Sequence, residues 1–360
     1  MNLATVQFDD SGPPRPEIVS AFMLLKNFKP IETIIDGLPV GRGAIVAITG
    51  PTGHAKTTVC TLLEVSLLKG LPFAGREVTQ GSVLVLAGEN PHDYTMHLAG
   101  QAQELGLYPA ELARPDAELL VVPGTFAIDY ELDYLSTKLK QLRANLVAVF
   151  VDTSAAFFNG TEENGNVEMR RHASMLRDLA SLPGNPTVFV LCHPTKNAQR
   201  DNLLPRGGGA FLAEIDCNLT LWKEESGIVS LHWAGKIRGP SFDPVRFELA
   251  PVTLEGHVDC RGKPITSVVA RYLPDDRAEQ LHAKAIDDDD TMLIAMQRKP
   301  GGSVRDLATA CGWTNGVGKP MHARADRKLK GLAALGLAEQ DRKGTWRLTK
   351  NGKTEADRLR

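Results

Sequence analysis

The sequence lacks the features that would place it in a membrane, outside the cell or around a structural metal. No apolar run approaches the roughly 18–20 residues that span a bilayer. The first residues, MNLATVQFDDSGPPRPE, have neither a basic start nor an apolar core, so they do not look like a secretory signal. The five cysteines are scattered, and none forms a CxxC pair or a zinc set with histidine. We therefore expect a protein of the reducing cytoplasm, without disulfides, structural metal or membrane contact.

Charge is unevenly distributed along the chain. The 360 residues carry a net charge of −2, with 42% hydrophobic and 23% charged residues, as in ordinary globular proteins. Residues 291–360 hold 15 Lys and Arg against 6 Asp and Glu, whereas the remainder holds 26 against 37. A basic tail on an acidic body predicts a polyanionic partner such as nucleic acid. The alternative is a solvated basic face.

From about residue 40 to residue 250, strand and helix patterns alternate. This alternation predicts an α/β fold with a mostly parallel sheet covered by helices on both faces. We expect a flexible arm at 1–24, the α/β core at 25–255, a polar linker at 256–290 and a separate module at 291–360. The strand candidates are 44–49, 82–87, 146–151, 187–192, 219–222, 229–233 and 245–249, and the helical candidates are 56–69, 93–105 and 167–182.

Residues 291–360 follow the order of a winged helix. TMLIAMQR and SVRDLATACG predict two helices, the second with Ser303 as its N-cap. MHARADRKLKGLAALG predicts a long basic helix, followed by two short strands around a Lys-Gly tip and a final helix. A face of the basic helix is expected to enter the major groove of duplex DNA, and Arg342, Lys343 and Arg347 to meet the flanking backbone. The cations expected to contact DNA are Lys319, Arg324, Arg327 and Lys328. A protein or a neighbouring subunit is the alternative partner.

The stretch TGPTGHAKTT has the spacing of a phosphate-binding loop. It matches G-x-x-x-x-G-K-[ST] except at Ala55, and it lies between a predicted strand and a predicted helix. Lys56 would reach the β- and γ-phosphates of ATP, and the hydroxyl of Thr57 would bind Mg²⁺. Ala55 is tolerable if its φ is negative and costly if its φ is positive. The expected ATP-binding residues are Gly50, Pro51, Thr52, Gly53, His54, Ala55, Lys56, Thr57 and Thr58.

Three polar residues each follow an apolar strand of the predicted sheet. Because the carboxyl ends of parallel strands meet at one edge, they are expected beside the loop. Asp152 would hold Mg²⁺, and Glu89 would deprotonate the water that attacks the γ-phosphate. His193 would sense the γ-phosphate. The alternatives are a strand-end acid that caps a turn, a surface acid and a structural histidine, in that order.

These residues, in this order, resemble the RecA-like ATPases, specifically the plasmid RepA-type branch of the hexameric helicases. The resemblance rests on LVLAGENPHDYTMHLAGQAQELGL, VDTSAAFFNGTEENGNVEMRRHASMLRDLA and VFVLCHPTKN, and on AGKIRGPSFDPVRFEL, which is similar to a stretch of replicative helicases. It covers about residues 25–255 and implies a homo-oligomer that acts as a ring or filament, with ATP held between neighbouring subunits. We expect a hexameric ring. The resemblance assigns Glu89 as catalytic base and His193 as sensor.

The same resemblance implies that Lys236 and Arg238 project into a neighbour's site and stabilise charge on the transferred phosphoryl group. An exposed hairpin turn is the alternative for this pair. Two departures from the family pattern stand out. Ala55 replaces a glycine, and Asp216 and Cys217 occupy the region where an arginine is expected.

The segment HPTKNAQRDNLLPRGGG matches the central DNA-binding loop of the family and carries Lys196, Arg200 and Arg206. It has no aromatic residue on which a base could stack. We therefore expect an ATP-hydrolysing, DNA-dependent motor that holds single-stranded DNA in its core. It would be a helicase or recombinase-like ATPase serving a plasmid, phage or other mobile element. A DNA-binding regulator that uses ATP only as a switch is the alternative, and a small-molecule kinase is a third reading.

Overall fold

The computed structural model describes residues 18–359, apart from 31, 115–116, 164, 225, 316–317 and 342–343. The chain divides into two compact units, Met1–Glu32 and Thr33–Arg360. In the first, helix α1 (Ala21–Lys26) begins at Ser20, whose hydroxyl accepts a hydrogen bond from the N–H of Met23. The arm predicted at 1–24 thus ends within a short helix, and its first 17 residues lie outside the described part.

The second unit is built on a nine-stranded sheet. Its strands are β1 (Ile45–Thr49), β2 (Ser82–Ala87), β3 (Leu119–Pro123), β4 (Leu146–Asp152), β5 (Thr187–Cys192), β6 (Cys217–Lys223), β7 (Val229–Trp233), β8 (Val245–Val258) and β9 (Pro264–Tyr272). In space they follow the order β3-β2-β4-β5-β1-β6-β7-β8-β9. The pairs from β3 to β6 are parallel, and the pairs from β6 to β9 are antiparallel.

Helices cover both faces of this sheet. They are α2 (Lys56–Lys69), α3 (Pro91–Glu104), α4 (Ile128–Gln141), α5 (Asn166–Asp178) and α6 (Gly208–Glu214). α2 and α3 pack on one face through residues such as Leu63 and Tyr94, and α4, α5 and α6 pack on the other through Leu139, Leu176 and Phe211. β1, β2, β4 and β5 are buried at every position, as parallel strands covered on both faces must be. The predicted α/β class, with its mostly parallel sheet, is confirmed.

The antiparallel end of the sheet curls over α2 and α3. β9 contacts both helices, although it lies at the opposite end of the sheet from β2 and β3. Arg271 of β9 forms two hydrogen bonds with the carboxylate of Glu104, at 2.6 and 3.0 Å. The side-chain oxygen of Gln101 accepts a hydrogen bond from the N–H of Ala270. The β8–β9 hairpin therefore forms an outer wall over these helices, which the sequence patterns did not predict.

The C-terminal residues form α7 (Asp275–Arg298), α8 (Val304–Ala310), α9 (His322–Ala334), β10 (Ala338–Gln340), β11 (Trp346–Leu348) and α10 (Lys350–Arg358). They share a hydrophobic core that includes Met292, Leu307, Leu329 and Trp346. Ser303 caps α8 as expected, because its Oγ accepts a hydrogen bond from the N–H of Asp306, 3.2 Å away. The order of elements is the one predicted, and the assignment as a winged helix stays a prediction.

The segment predicted as a linker, 256–290, is regular structure where it is described. It contains the end of β8, all of β9 and the first two thirds of α7. Ala278 and Leu281 of α7 pack against Ile228 and Leu273, so an apolar contact holds a helix whose sequence is largely polar. Among the described residues, no helix is both long enough and apolar enough to cross a membrane.

Candidate functional site

The loop between β1 and α2 surrounds the side chain of Lys56, the first residue of α2. Lys56 is 8% exposed, and its Nζ donates to the carbonyl oxygens of Gly50 and Pro51, at 2.8 and 3.3 Å. Burial lowers the pKa of Lys56, and the carboxylates of Asp152 and Glu89 partly offset this effect. A buried cation at a helix N-terminus, where backbone N–H groups are unpaired, forms an anion-binding site.

The backbone of this loop requires left-handed conformations. Gly53 has a φ of 78° and Ala55 a φ of 63°. A Cβ on Gly50 would lie 2.8 Å from the carbonyl oxygen of Leu221, so that position has no room for a side chain. The loop therefore requires glycine at positions 50 and 53. Ala55 has a positive φ, which is the conformation in which a Cβ costs free energy.

Thr57 and Asp152 form the second part of the site. The Thr57 hydroxyl donates to Oδ2 of Asp152, 2.9 Å away. Asp152 ends β4 and is 9% exposed. Burial raises its pKa to about 6, while the hydrogen bond from Thr57 acts in the opposite direction. A hydroxyl and a carboxylate held at this distance are the oxygen donors that Mg²⁺ prefers, and a nearby phosphate would complete the set. These residues therefore fit the expected ion.

Glu89 follows β2 and His193 follows β5, and both lie at the cavity of Lys56 and Asp152. The N–H of Glu89 donates to the carbonyl oxygen of Asp152, at 3.1 Å. Burial and the neighbouring Lys56 both lower the pKa of His193, which favours a neutral imidazole. Lys56, Thr57, Asp152, Glu89 and His193 all line one cavity of about 420 Å³. The structure thus brings these predicted residues together, and their catalytic roles stay predictions.

The remaining loop residues surround this cavity or support it. Thr52, Gly53, Ala55 and Thr58 line it. His54 instead packs edge-on against Trp222 of β6, with ring centroids 4.8 Å apart. Its Nδ1 accepts a hydrogen bond from the N–H of Lys223, at 2.9 Å.

The far wall of the cavity was not predicted. It is formed by Tyr94 and His97 of α3 and by Leu249 and Val268 of the β8–β9 hairpin. Behind Tyr94 lies a buried acid, Glu64 of α2, whose Oε2 accepts a hydrogen bond from the tyrosine hydroxyl at 2.8 Å. Burial raises the pKa of Glu64 to about 8. The one sequence signal for this acid was its isolation in the apolar run VCTLLEVSLL.

A family model for an AAA domain, AAA_25, matches residues 13–199, which is half of the chain. The chain belongs to this family. AAA_25 domains are P-loop ATPases with a mostly parallel sheet, in agreement with the loop, the cavity and the strand order described above. Comparison with curated proteins gives no match. The narrower resemblance to RepA-type helicases stays a prediction.

Lys236 and Arg238 of this AAA-family protein lie at the opposite edge of the sheet from its phosphate loop. Arg238 forms an ion pair with Asp216, at 2.9 Å, and the carboxylate of Asp216 also accepts the N–H of Ile45, the first residue of β1. Gly50 follows the other end of this five-residue strand, roughly 15 Å away at about 3.3 Å per residue. Neither cation is therefore placed to act at its own subunit's site.

The predicted DNA loop folds back on itself. Thr195 N–H donates to the carbonyl oxygen of Leu204, and Arg206 N–H donates to that of His193 at 2.8 Å. Arg206 pairs with Glu163 at 3.0 Å, and Arg200 pairs with Glu224 at 3.1 Å. Lys196 is exposed. Two of the three predicted DNA-binding cations of this loop are thus already paired within the chain.

The basic helix α9 is likewise engaged within the chain. Arg324 lies 2.7 Å from Asp288 of α7 and 4.5 Å from the ring centre of Trp313. Lys328 lies 2.8 Å from Asp289. The acidic run 287–290 lies at the end of the segment expected to be a polar linker, and it pairs with the helix face that was expected to enter DNA. Of the four predicted cations of the module, Lys319 and Arg327 are exposed.

Proposed function

We propose that this AAA-family protein is an ATP-hydrolysing, DNA-dependent motor, a helicase or a recombinase-like ATPase of a mobile genetic element. The observation that carries the proposal is the convergence of Glu89, Asp152 and His193 on the cavity of Lys56 and Thr57. Phosphoryl transfer to water requires a carboxylate, a metal ligand and a polar residue at the position of the γ-phosphate.

Each side chain has a distinct role in this proposal. Lys56 binds the phosphates, and Thr57 and Asp152 would hold Mg²⁺, which would supply positive charge to the phosphate oxygens. Glu89 is exposed to the cavity and accepts the proton of the attacking water. His193, whose pKa is lowered by burial and by Lys56, contacts the γ-phosphate. Arg238, with Lys236, completes the site of the next subunit of the proposed hexameric ring.

The link to DNA rests on the stem of the loop that begins at His193. The stem is closed by the hydrogen bonds of Arg206 with His193 and of Thr195 with Leu204. A shift of His193 on loss of the γ-phosphate is therefore transmitted to both strands of the stem. The loop would contact single-stranded DNA, and the C-terminal module would contact duplex DNA or a neighbouring subunit.

A second candidate is a DNA-binding regulator that uses ATP only as a switch. It is favoured by the left-handed backbone of Ala55, which places strain where most loops of this kind have glycine. The regulator and the motor share the same site and differ in turnover.

The test is ATP turnover with and without single-stranded DNA, for the wild type and for Glu89→Gln. We expect stimulation by DNA in the wild type. In the variant we expect unchanged ATP binding and turnover lower by about 10²–10⁴-fold, because the base is lost. Glu131→Gln, at an exposed position on α4, is the matched control and is expected to behave as the wild type. Negligible turnover under both conditions would favour the regulator, and strand separation on a forked duplex would identify a helicase.

A further inference from the structure

A second cavity, of about 230 Å³, lies on β6 and β7 beside the predicted DNA loop. Thr220 and Trp222 of β6 are paired with His232 and Ser230 of β7. Because side chains alternate along a strand, these four lie on one face, opposite Leu219, Leu221 and Leu231, which join the hydrophobic core. Trp233 also lines the cavity, although its position in β7 places it with Leu231 and it packs against the core, and Arg200 of the loop lines the cavity as well. We call these six lining residues the aromatic pocket: Arg200, Thr220, Trp222, Ser230, His232 and Trp233.

The side chains of the aromatic pocket are held in place by their neighbours. Trp222 packs against His54, and the indole N–H of Trp233 donates to the Ser241 hydroxyl at 3.0 Å. The Nε2 of His232 is 2.9 Å from the carbonyl oxygen of Phe242. All three rings are partly exposed, so π surface remains accessible within a rigid frame. Preorganised aromatic surface of this kind binds flat rings with little loss of conformational entropy.

The chemistry of the pocket matches a nucleobase better than a phosphate. Its walls are aromatic, and its base carries the buried hydroxyls of Thr220 and Ser230. The carboxylate of Glu224 lies close by, bonded to Ser230 at 3.0 Å and to Arg200 at 3.1 Å, and Asp201 also lines the cavity. These acids repel phosphate but accept hydrogen bonds from base amino groups. A cavity of about 150 Å³ holds benzene, so this one has room for a pyrimidine or purine ring.

We propose that the aromatic pocket takes one base of a single-stranded nucleic acid whose backbone runs along the loop past Lys196. The inference rests on the proposed DNA-dependent function and deepens it. The loop alone has no Trp, Tyr or Phe for base stacking, and the folded neighbours Trp222, His232 and Trp233 supply aromatic rings. The Arg200 guanidinium, held by Glu224, can lie against the base as a further planar surface.

The test compares a short labelled oligothymidine with an oligonucleotide of the same length in which the bases are replaced by abasic sites. Both carry the same phosphate charge, so at fixed salt their difference reports base contacts alone. We expect the wild type to bind the base-bearing strand about 5- to 150-fold more tightly, the range for stacking of one base. Trp222→Leu should remove most of this preference and leave binding of the abasic strand unchanged, whereas Trp222→Phe should restore much of it.

His232→Leu is a second variant that keeps the fold of the strand and is expected to weaken the preference. Tyr130→Leu, an exposed aromatic on α4, is the matched control and should leave it intact. Retention of the preference in both pocket variants would overturn the inference. So would equal binding of the two strands by a wild type whose ATP turnover still responds to DNA, and the proposed function would then stand.

Two other outcomes would also overturn the inference. If Trp222→Leu weakened ATP binding as much as base binding, the pocket would belong to the nucleotide site through His54. If neither strand bound and turnover ignored DNA, the proposed function would fail together with the inference.

Discussion

The effect of alanine at position 55 cannot be predicted from the neighbouring residues alone. Its neighbours match a phosphate loop, yet whether alanine is harmless there depends on a backbone angle that the sequence does not state. With φ at 63°, the residue adopts a conformation that costs about 1–2 kcal/mol when a Cβ is present. The loop therefore holds its shape against a local strain.

Ala55→Gly is expected to raise the free energy of unfolding by roughly 0.5–1 kcal/mol. The relief of strain exceeds the extra chain entropy that glycine brings to the unfolded state, which is about 0.4–1 kcal/mol. Urea unfolding measures the change. Arg143→Gly is the matched control, because it removes the Cβ of an exposed residue that also has a positive φ. It is expected to be stabilising without any effect on ATP affinity. A less stable Ala55→Gly variant would contradict the left-handed conformation.

Glu64 is a buried acid whose protonation is linked to folding. Its pKa is about 8 in the folded protein, above its ordinary value, so the folded state binds a proton that the unfolded state releases. Stability from this group is present at low pH and is lost as pH rises toward about 8. Asp152, with a pKa of about 6, acts in the same direction at lower pH.

We therefore expect the wild type to lose stability between about pH 6 and pH 8, and Glu64→Gln to lose much less. Glutamine keeps an oxygen that accepts the Tyr94 hydroxyl and carries no titrating proton. Unfolding midpoints at several pH values measure the difference. Parallel curves for the two proteins would show that Glu64 does not titrate in this range.

At the residue scale, the positions of Glu89, Asp152 and His193 could be predicted because the carboxyl ends of parallel strands share an edge. The backbone of Ala55 and the environment of Glu64 could not, since both depend on tertiary contacts. The pairing of Arg200 and Arg206 with acids distant in sequence was equally beyond the local pattern.

Helices α7 and α9 are joined by ion pairs between residues that lie more than thirty positions apart in the sequence. The acidic run of α7 faces Arg324 and Lys328, and Arg324 also covers Trp313. These pairs are only partly exposed, so solvent screens them less than it screens a free surface pair. They join α9 to α7 beside the apolar core that the two helices share.

Asp288→Asn is expected to lower the free energy of unfolding by roughly 1 kcal/mol, because it leaves a half-buried guanidinium without its charged partner. Thermal unfolding measures the loss. Lys330→Met, which removes the exposed i,i+4 pair with Asp326 in the same helix, is the control and should cost less than about 0.5 kcal/mol. Equal losses in the two variants would mean that the α7–α9 pair is no stronger than a surface pair.

Helices and strands were predicted correctly where a single segment contained the whole hydrophobic pattern of the element. α2 and the strands β2, β5 and β7 have the predicted bounds, because they are apolar runs with glycine or proline close to their ends. β3 and β9 were missed, since their burial is partial and comes from neighbours distant in sequence. Residues 275–290 of α7 were assigned to a linker because their polar composition conceals the apolar contacts that hold them, whereas residues 291–298 were predicted as a helix.

On the scale of the whole molecule, the phosphate loop and Arg238 lie at opposite edges of one sheet. In the proposed ring, each chain contributes one half of two different sites. In a head-to-tail assembly, the Arg238 edge of one subunit meets the nucleotide edge of the next. A closed ring of such contacts is the proposed oligomer.

Mixing two inactive variants tests this arrangement. Glu89→Gln lacks the proposed base and Arg238→Ala the proposed partner cation, so neither should turn over ATP alone. In an equal mixture, up to about a quarter of the interfaces combine an intact Glu89 with an intact Arg238, and turnover should recover toward that fraction of wild type. Arg170→Ala, at an exposed cation that pairs with Glu214, is the control and should stay active. A mixture as inactive as its components would argue against catalysis across subunits.

Helix α7 has a mechanical consequence. Its first turns are joined to the ATPase core through Asp275, which pairs with Arg246 at 2.6 Å, and through Ala278, while its last turns form the core of the C-terminal module. The 24 residues form one rod of about 36 Å. A small tilt at the ATPase end is therefore enlarged at the far end, and in the proposed function a duplex bound to the C-terminal module would move along an arc.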